Sequence, residues 1–323
     1  MITNEYILGI DLGGTNIKIG CFDSNLNLIG KISVLTRVDM GPKFIVDSFF
    51  SASEELLKQN TLSLANVYAV GIGAPGPIDL AEGIVVVAPN MPLLKNTPLR
   101  EMVSLRLGKP TIIENDANAA CWAESVMGAG KGTDNMVLLT LGTGIGGGVI
   151  SNGKLVHGSS GDAAELGHII IYPDGRTCAC GQKGCVEAYA SANSTANRAT
   201  EAIADGTKST LTKTLEKNGK ITCKDVFEHA ANGDALAKEI AEGTTKALAL
   251  VCAQLANLIA PQRIVFAGGM IAAGDLLLDQ TRRFFKQYIS TPPGKRSIEI
   301  CFAKLGEDAG IIGAASLALA THN

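Results

Sequence analysis

Short apolar runs separated by glycine-rich polar turns organise the first part of the chain. Residues 6–10 and 17–22 have the pattern of two strands, and the turn Asp11-Leu12-Gly13-Gly14-Thr15 joins them. A polar turn at 23–27 and another short apolar run follow. The pattern therefore predicts a β-meander, and not a strand that opens directly into a helix.

The same plan recurs later in the chain. An apolar run at 136–141 leads into the glycine-rich turn 142–148, and a returning run at 149–151 ends at Asn152-Gly153, a hairpin signal. The first turn aligns with Thr140-Leu141-Gly142-Thr143-Gly144. This recurrence predicts two similar halves that arose by internal duplication.

Apolar periodicity predicts the remaining elements. These are helices at 43–59, 118–127 and 309–319, strands at 67–72, 111–113 and 263–267, and a mostly helical stretch over 188–260 with breaks near Gly206 and Gly219. The strand at 263–267 ends at Gly268-Gly269. Together the elements predict an α/β protein.

Length and composition set the broad class. A chain of 323 residues fits two domains better than one, and 46% hydrophobic with 18% charged residues is typical of a well-packed globular protein. The formal net charge is −3, with no long run of like charge, so we expect neither nucleic acid nor a membrane as partner. The start of the chain lacks the basic region of a signal peptide, and the apolar segment 247–259 is too short to span a bilayer. We therefore expect a cytoplasmic protein.

The two glycine turns have the composition of phosphate-binding loops. Glycine lets backbone amides approach a phosphate, and Asp11 beside Gly13 and Gly14 can hold a hydrated Mg²⁺. The alternative for this turn alone is a glycine hairpin with an incidental aspartate. Residues 142–147 match the dinucleotide fingerprint formally, but a hairpin follows them where that motif requires a helix.

Four residues of metal-ligating types, one histidine and three cysteines, lie close together in one loop. His168, Cys178, Cys180 and Cys185 match a closed tetrahedral zinc site, which needs no water ligand and is therefore structural. The alternative is a set of buried free thiols. We expect the other cysteines to be packing thiols: Cys21, Cys121, Cys223, Cys252 and Cys301.

Acidic and amide residues supply candidate contacts to a hydroxyl-bearing substrate. Glu165 and Glu187 flank the cysteine loop and could present carboxylates to a polyol or be solvated surface acids. The run Glu114-Asn115-Asp116-Ala117-Asn118 lies where a strand gives way to a helix. There Asp116 could accept a hydroxyl proton while Asn115 orients the substrate, or Asp116 or Asn118 could be only the helix N-cap.

These motifs, taken in order over almost the whole chain, resemble the ROK family (repressors, open reading frames, kinases). The resemblance implies an α/β, actin-like ATPase (ribonuclease H-like) fold of two lobes with an interlobe cleft that holds ATP. It implies a small lobe over 1–117, rejoined by the C-terminal helix at 307–323, and a large lobe over 118–306 with the zinc loop. Family members tend to form homodimers or homotetramers.

The resemblance also assigns roles to residues. Asp116 is the general base that takes the proton of the sugar 6-hydroxyl, and His168 both contacts the sugar and binds zinc. The implied sugar-binding positions are Gly76, Asn90, Asn115, Asp116, Glu165, His168 and Glu187. The implied positions for Mg²⁺ and ATP are Asp11, Gly13, Gly14, Thr15, Asn16, Lys18, Gly142, Thr143, Gly144, Gly268 and Gly269.

The activity expected from this resemblance is ATP-dependent phosphorylation of a hexose, with glucose as the first choice. N-acetylmannosamine, N-acetylglucosamine, mannose and fructose stay open as substrates, and polyphosphate stays open as donor. Residues 91–95 lack the Trp that family glucokinases often carry after the position of Asn90, which leaves specificity open. Ala164 stands where the family more usually has Gly, a change we expect to leave the loop intact.

A sugar-responsive repressor or a non-catalytic sensor is the alternative of a different class. Repressors of the family carry a helix-turn-helix before the first glycine turn, and ten residues precede Asp11, so we do not expect one. An intact Asp116 argues against a sensor. We expect His157, His229 and His322 to be surface residues and not catalysts.

Overall fold

Strands and helices alternate along the chain in the computed structural model, which describes residues 6–88, 90–289 and 297–322. The strands are β1 (Tyr6–Leu12), β2 (Asn16–Phe22), β3 (Leu28–Leu35), β4 (Val67–Ala74), β5 (Ile78–Asp79), β6 (Ile84–Val85), β7 (Thr111–Asn115), β8 (Met136–Leu141), β9 (Ile145–Ser151), β10 (Lys154–Leu155), β11 (Arg263–Ala267) and β12 (Glu299–Phe302). The helices are α1 (Gly41–Gln59), α2 (Leu99–Leu107), α3 (Asp116–Val126), α4 (Glu187–Ala190), α5 (Ala192–Ala204), α6 (Leu211–Asn218), α7 (Cys223–Ala231), α8 (Ala235–Leu258), α9 (Asp275–Tyr288) and α10 (Ala309–His322).

Internal contacts divide the chain into two compact units. The first unit takes its described residues from 1–131, 155–163 and 307–323, and the second from 132–154 and 164–306. The sequence-based boundary at residue 117 falls inside α3, all of which belongs to the first unit. Helix α3 packs on α10, so the contacts group the two helices together.

Each unit contains one five-stranded mixed sheet. The strand order is β3-β2-β1-β4-β7 in the first unit and β10-β9-β8-β11-β12 in the second. In both sheets, the first strand of the hairpin pairs antiparallel with the strand that follows it and parallel with a later strand. Thus β1 pairs with β2 and β4, and β8 pairs with β9 and β11. This common topology agrees with the internal duplication that the two glycine turns predict.

Apolar residues of the first sheet pack on both of its faces. Leu8 and Ile10 of β1 belong to the core beneath α1 and α2, together with Phe49. Ile7 belongs instead to the core beneath α10, with Ala315. Because successive strand residues point to opposite faces, the unbroken apolar run of β1 lies between two helical layers.

Helix α10 lies unusually close to the first sheet because glycines face it. A Cβ added at Gly71 would lie 1.8 Å from the carbonyl oxygen of Ala314, and one at Gly9 would lie 2.0 Å from that of Ile311. On the helix itself, a Cβ at Gly313 would lie 1.9 Å from the carbonyl oxygen of Ala119 in α3. Backbone therefore packs against backbone at these contacts, and no larger residue fits without moving the helix.

Helix α8 is the longest in the second unit and contains the apolar segment 247–259 almost completely. None of the helices among the described residues combines the length and apolar content needed to cross a bilayer. Downstream of α5 and α6, Gly206 and Gly219 have φ of +91° and +70°, which explains the helix breaks predicted there.

We expect Gly71→Ala to destabilise the protein by at least ~1–3 kcal/mol, because the added methyl group would push α10 away from β4. Gly73→Ala on the same strand is the matched control, since a Cβ there would make an ordinary contact at 3.5 Å with Ala119. Urea unfolding can be followed by the fluorescence of Trp122, the single tryptophan of the chain. Equal unfolding midpoints for the two variants would contradict this account of the packing.

Candidate active site

The β1–β2 turn of the first unit exposes backbone at its tip. The Gly13 N–H donates to the Asn16 carbonyl at 3.0 Å, and the Thr36 hydroxyl donates to the Gly13 carbonyl at 2.7 Å. Gly14 and Thr15 lie exposed between these anchors. These two hydrogen bonds fix the base of the turn, while its tip stays accessible. A phosphate-binding loop requires this arrangement.

Asp11 lies at the end of β1, packed against the start of α10. A Cβ at Gly310 would lie 2.6 Å from the Asp11 carboxylate, so glycine is needed there. Burial and, to a smaller extent, the charge of Asp116 raise the pKa of Asp11, Lys18 opposes them, and the net result is a pKa of about 6. Two carboxylates that repel each other in this way favour a bound cation, which would restore the ionised form of Asp11. Lys18 itself is half-buried, with its Nζ 3.0 Å from the Glu307 carboxylate.

The junction of β7 and α3 carries the candidate base. The N-cap of α3 is Asn115, whose Oδ1 accepts from the N–H groups of Ala117 at 2.9 Å and Asn118 at 3.2 Å. Asn115 Nδ2 donates to the Gly76 carbonyl at 3.2 Å. Asp116 is therefore the first helical residue and not the cap, and it is exposed. The structure thus decides against an N-cap role for Asp116 or Asn118.

A buried carboxylate that the motif analysis did not single out lies directly before this junction. Glu114 is 5% exposed, and its Oε1 accepts from the Asn115 N–H at 2.9 Å and from Asn118 Nδ2 at 3.0 Å. Its Oε2 lies 2.7 Å from Nε2 of His157, a residue expected to be on the surface. His157 is in fact partly buried, and the hydrogen bond that its imidazole donates to the Glu114 carboxylate raises the pKa of His157. An acidic residue that ends an apolar strand is the signal that could have identified this pair.

Two further predicted sugar positions lie in the first unit. Gly76 has φ of +89°, and a Cβ there would lie 1.9 Å from the Val87 carbonyl. Asn90 is exposed, and a Cβ at Gly14 would lie 3.9 Å from the Asn90 β-carbon. Met91, which follows Asn90, is buried in the unit at 1% exposure.

The β8–β9 turn of the second unit is held by a carboxylate. The Gly142 N–H donates to the Gly144 carbonyl at 3.0 Å, and Thr143 is exposed at the tip. Glu187 accepts from the Ile145 N–H at 2.8 Å, and a Cβ at Gly144 would lie 2.4 Å from the Glu187 carboxylate. Glycine at 144 thus permits Glu187 to approach the turn.

The two glycines after β11 lie against the same turn region. Gly268 has φ of +87°, and a Cβ there would lie 2.5 Å from the carbonyl oxygen of Leu141 at the end of β8. Gly269 faces open space. Because parallel strands end at one edge of a sheet, β8 and β11 bring these two predicted nucleotide-binding segments together.

His168, Cys178, Cys180 and Cys185 converge as a four-ligand cluster. Their ligand atoms all lie within 4.8 Å of one another, with Cys180 Sγ 3.8 Å from Cys185 Sγ and Cys178 Sγ 3.8 Å from His168 Nδ1. Sulfur atoms bound tetrahedrally at ~2.3 Å to zinc are about 3.8 Å apart, so the spacing fits that ion. Burial raises the pKa of the Cys178 and Cys185 thiols, and a bound cation would offset this by stabilising thiolates.

Glu165 and Glu187 lie on either side of this cluster. Glu165 is exposed and precedes a short 3-10 turn that ends at His168, whose N–H donates to the Glu165 carbonyl at 3.0 Å. The turn packs on β9, since a Cβ at Gly167 would lie 2.1 Å from the Ile145 carbonyl. The Cys178 thiol donates to Glu187 Oε1 at 3.5 Å. The cysteine loop, Glu165 and Glu187 are therefore parts of one local structure in the second unit.

Residues 7–321 match the model of the ROK family. The chain belongs to the ROK family. A glucokinase from Halalkalibacterium halodurans is 36% identical over 313 residues, which cover 97% of this chain and 94% of that protein. An N-acetylmannosamine kinase from Citrobacter koseri is 31% identical over 311 residues, covering 96% of this chain and 98% of that one.

A solved structure of the ROK family extends this similarity to the fold. The ROK family glucokinase from Streptomyces griseus in complex with glucose and AMPPNP superposes with a TM-score of 0.80 at 35% identity, over 97% of this chain and 99% of that chain. Membership of the ROK family and the α/β, actin-like ATPase fold class, both predicted from sequence, are confirmed.

Ala164 occupies a backbone conformation that glycine adopts more readily than alanine. Its φ is +67°, in the left-handed region, and its carbonyl accepts from the Leu166 N–H at 2.7 Å. The loop keeps its turn, but Ala164 adopts a conformation that costs a non-glycine residue ~1–2 kcal/mol.

We expect Ala164→Gly to raise the free energy of unfolding by up to about 1 kcal/mol, because relief of the strain outweighs the added freedom of the unfolded chain. Ala202→Gly within α5 is the control, and we expect it to lose roughly 0.5–1 kcal/mol. Urea unfolding of both variants checks the prediction. A loss of stability at both positions would show that Ala164 is not strained.

Proposed function

We propose that this ROK family protein is an ATP-dependent hexokinase that transfers the γ-phosphoryl group to the 6-hydroxyl of glucose. The observation that carries the proposal is the β7–α3 junction, where Asn115 caps the helix and leaves Asp116 exposed as its first residue. Glucokinases among the relatives at 36% identity over most of the chain support glucose as the substrate.

Asp116 is the group proposed to remove the hydroxyl proton. A carboxylate that accepts this proton as the oxygen attacks phosphorus makes the hydroxyl a better nucleophile. Asn115 cannot replace it, because a carboxamide is not basic enough to take the proton; its side chain instead fixes the turn through bonds to Ala117, Asn118 and Gly76. The Asn115 amide holds the turn in one conformation and so gives Asp116 a defined position.

The two glycine turns and Gly268-Gly269 are proposed to hold the nucleotide. Phosphoryl transfer depends on stabilising negative charge spread over phosphate oxygens, which backbone N–H groups and Mg²⁺ supply. Asp11, Gly13, Gly14, Thr15, Asn16, Lys18, Gly142, Thr143 and Gly144 are the residues proposed for this role. Among them Asp11 would hold the hydrated Mg²⁺, because it is the carboxylate beside the first turn.

Gly76, Asn90, Asn115, Glu165, His168 and Glu187 are proposed to bind the sugar. Carboxylates and amides can hydrogen-bond several hydroxyl groups of a hexose and so fix its orientation. Zn²⁺ held by His168, Cys178, Cys180 and Cys185 would act structurally by ordering the loop that carries the sugar contacts, since four protein ligands complete its coordination.

N-acetylmannosamine is the alternative substrate, supported by the N-acetylmannosamine kinase at 31% identity. The buried Met91 after Asn90, where family glucokinases often carry a Trp nearby, keeps this alternative open. We also propose a cytoplasmic location and a homodimer or homotetramer.

We expect Asp116→Asn to keep sugar binding and lose roughly 10²–10⁴ in turnover, because the amide cannot accept the proton. ADP release with Mg²⁺-ATP is measured against glucose, mannose, N-acetylglucosamine, N-acetylmannosamine and fructose. Glucose-dependent turnover that the substitution abolishes supports the proposal.

Three outcomes of this assay separate the alternatives. Preference for another sugar would support the proposed mechanism but assign a different substrate. Turnover retained by Asp116→Asn removes Asp116 as the base. Absence of turnover with every sugar, in protein that still binds glucose, favours a sensor.

We expect Cys180→Ser to lower the zinc content and the thermal unfolding midpoint, because an alcohol is a far poorer zinc ligand than a thiolate. Cys301→Ser is the matched control, since Cys301 lies on β12 and outside the four-ligand cluster. Metal content is measured by atomic emission in the purified protein. An equal metal content in both variants and the wild type would remove Cys180 from the ligand set.

A further inference from the structure

The loop at 155–163 belongs to the first unit, although the residues before and after it along the chain belong to the second. Its ends are close together, because the Ala163 N–H donates to the His157 carbonyl at 3.2 Å. Gly161 docks on β5, where a Cβ would lie 2.8 Å from the Ile78 carbonyl. Residue 164 and the predicted sugar ligand Glu165 follow directly.

The second docking point of this loop is the His157 side chain. Its Nε2 lies 2.7 Å from Glu114 Oε2, across 43 positions of sequence. The other oxygen of Glu114 accepts from the Asn115 N–H and from Asn118 Nδ2. Among the ion pairs of the described residues, His157 supplies the basic partner of this buried carboxylate.

The hydrogen-bond donors to Glu114 Oε1 belong to the turn that contains Asp116. Asn118 is 2% exposed, and its N–H, like that of Ala117, donates to Asn115 Oδ1. A shift of the Glu114 carboxylate would therefore move both the cap residue Asn115 and the first turn of α3. Loss of the His157 side chain forces such a shift, because it removes the hydrogen-bond partner of Glu114 Oε2, and a buried carboxylate oxygen without a donor is drawn toward water or another donor.

We propose that His157 is a positioning residue of the phosphoryl transfer, acting through Glu114 to hold the Asn115-Asp116 turn in its productive geometry. This inference rests on the proposed function, since it takes Asp116 as the base. His157 does not touch the reacting atoms in this role. His157 instead holds the Glu114 carboxylate in place, and Glu114 in turn holds the Asn115-Asp116 turn. Small displacements of a reacting group such as Asp116 lower the rate of reaction strongly.

The test compares His157→Ala with His157→Gln in the full chain. The Gln amide nitrogen can donate to Glu114 Oε2 as His157 Nε2 does, whereas Ala removes this donor and leaves only the bonds to Oε1. We expect His157→Ala to lower kcat for glucose by roughly 10- to 100-fold with a smaller change in KM. We expect His157→Gln to recover most of that loss.

A control separates positioning from general damage. The two ring nitrogens of His229 in α7 are hydrogen-bonded to the hydroxyl groups of Thr210 and Thr214, and we expect His229→Ala to keep the wild-type kcat.

A double variant tests whether His157 acts through Glu114. If it does, the losses in kcat of Glu114→Gln and His157→Ala should not add when the two changes are combined.

A readout without turnover keeps this inference separate from the proposed function. Hydrogen exchange of the Ala117 and Asn118 amides should accelerate in His157→Ala and return toward wild type in His157→Gln, whichever sugar is the substrate. If wild type phosphorylates no sugar, the proposed function fails and the exchange result alone decides whether His157 holds the turn. Unchanged exchange in His157→Ala, wild-type kcat in that variant, or a Gln variant as impaired as the Ala variant would overturn the inference.

Discussion

A carboxylate buried at the end of a strand has to be matched by donors, and in this protein those donors build the candidate active site. Glu114 accepts from Asn115 and Asn118 and pairs with His157, so its burial determines how β7 gives way to α3. Asn115 then caps the helix, which leaves Asp116 as an exposed first residue. The proposed base is thus placed by a buried charge that never reaches the substrate.

In both units, glycines allow other parts of the chain to pack closely around the candidate site. In the first unit, Gly71 admits α10 to the sheet, and Gly310 gives space to the Asp11 carboxylate. In the second unit, Gly144 admits Glu187 to the β8–β9 turn, and Gly268 packs on the end of β8. Glycine at these positions is required by the packing of the fold itself, in addition to the phosphate contacts proposed for the turns.

Local features could be predicted from sequence because the residues that form them are close together in the chain. The glycine turns, their strands and the four-ligand cluster are of this kind, and the fold class was implied by the family resemblance that these motifs carry. The pairing of His157 with Glu114 could not be predicted, because it joins residues 43 positions apart and depends on the path of the 155–163 loop. The left-handed conformation of Ala164 and the use of Asn115 as the cap also depend on backbone geometry, which spacing does not specify.

The central claim is that phosphate moves from ATP to the 6-hydroxyl of a hexose. The most direct measurement is the phosphorus-31 NMR spectrum of the product formed from ATP and glucose, with 6-deoxyglucose as a parallel substrate. The account predicts a single phosphomonoester on the oxygen of carbon 6 and no sugar phosphate from 6-deoxyglucose. A phosphate on another carbon, or ATP hydrolysis to inorganic phosphate without transfer to the sugar, would contradict it.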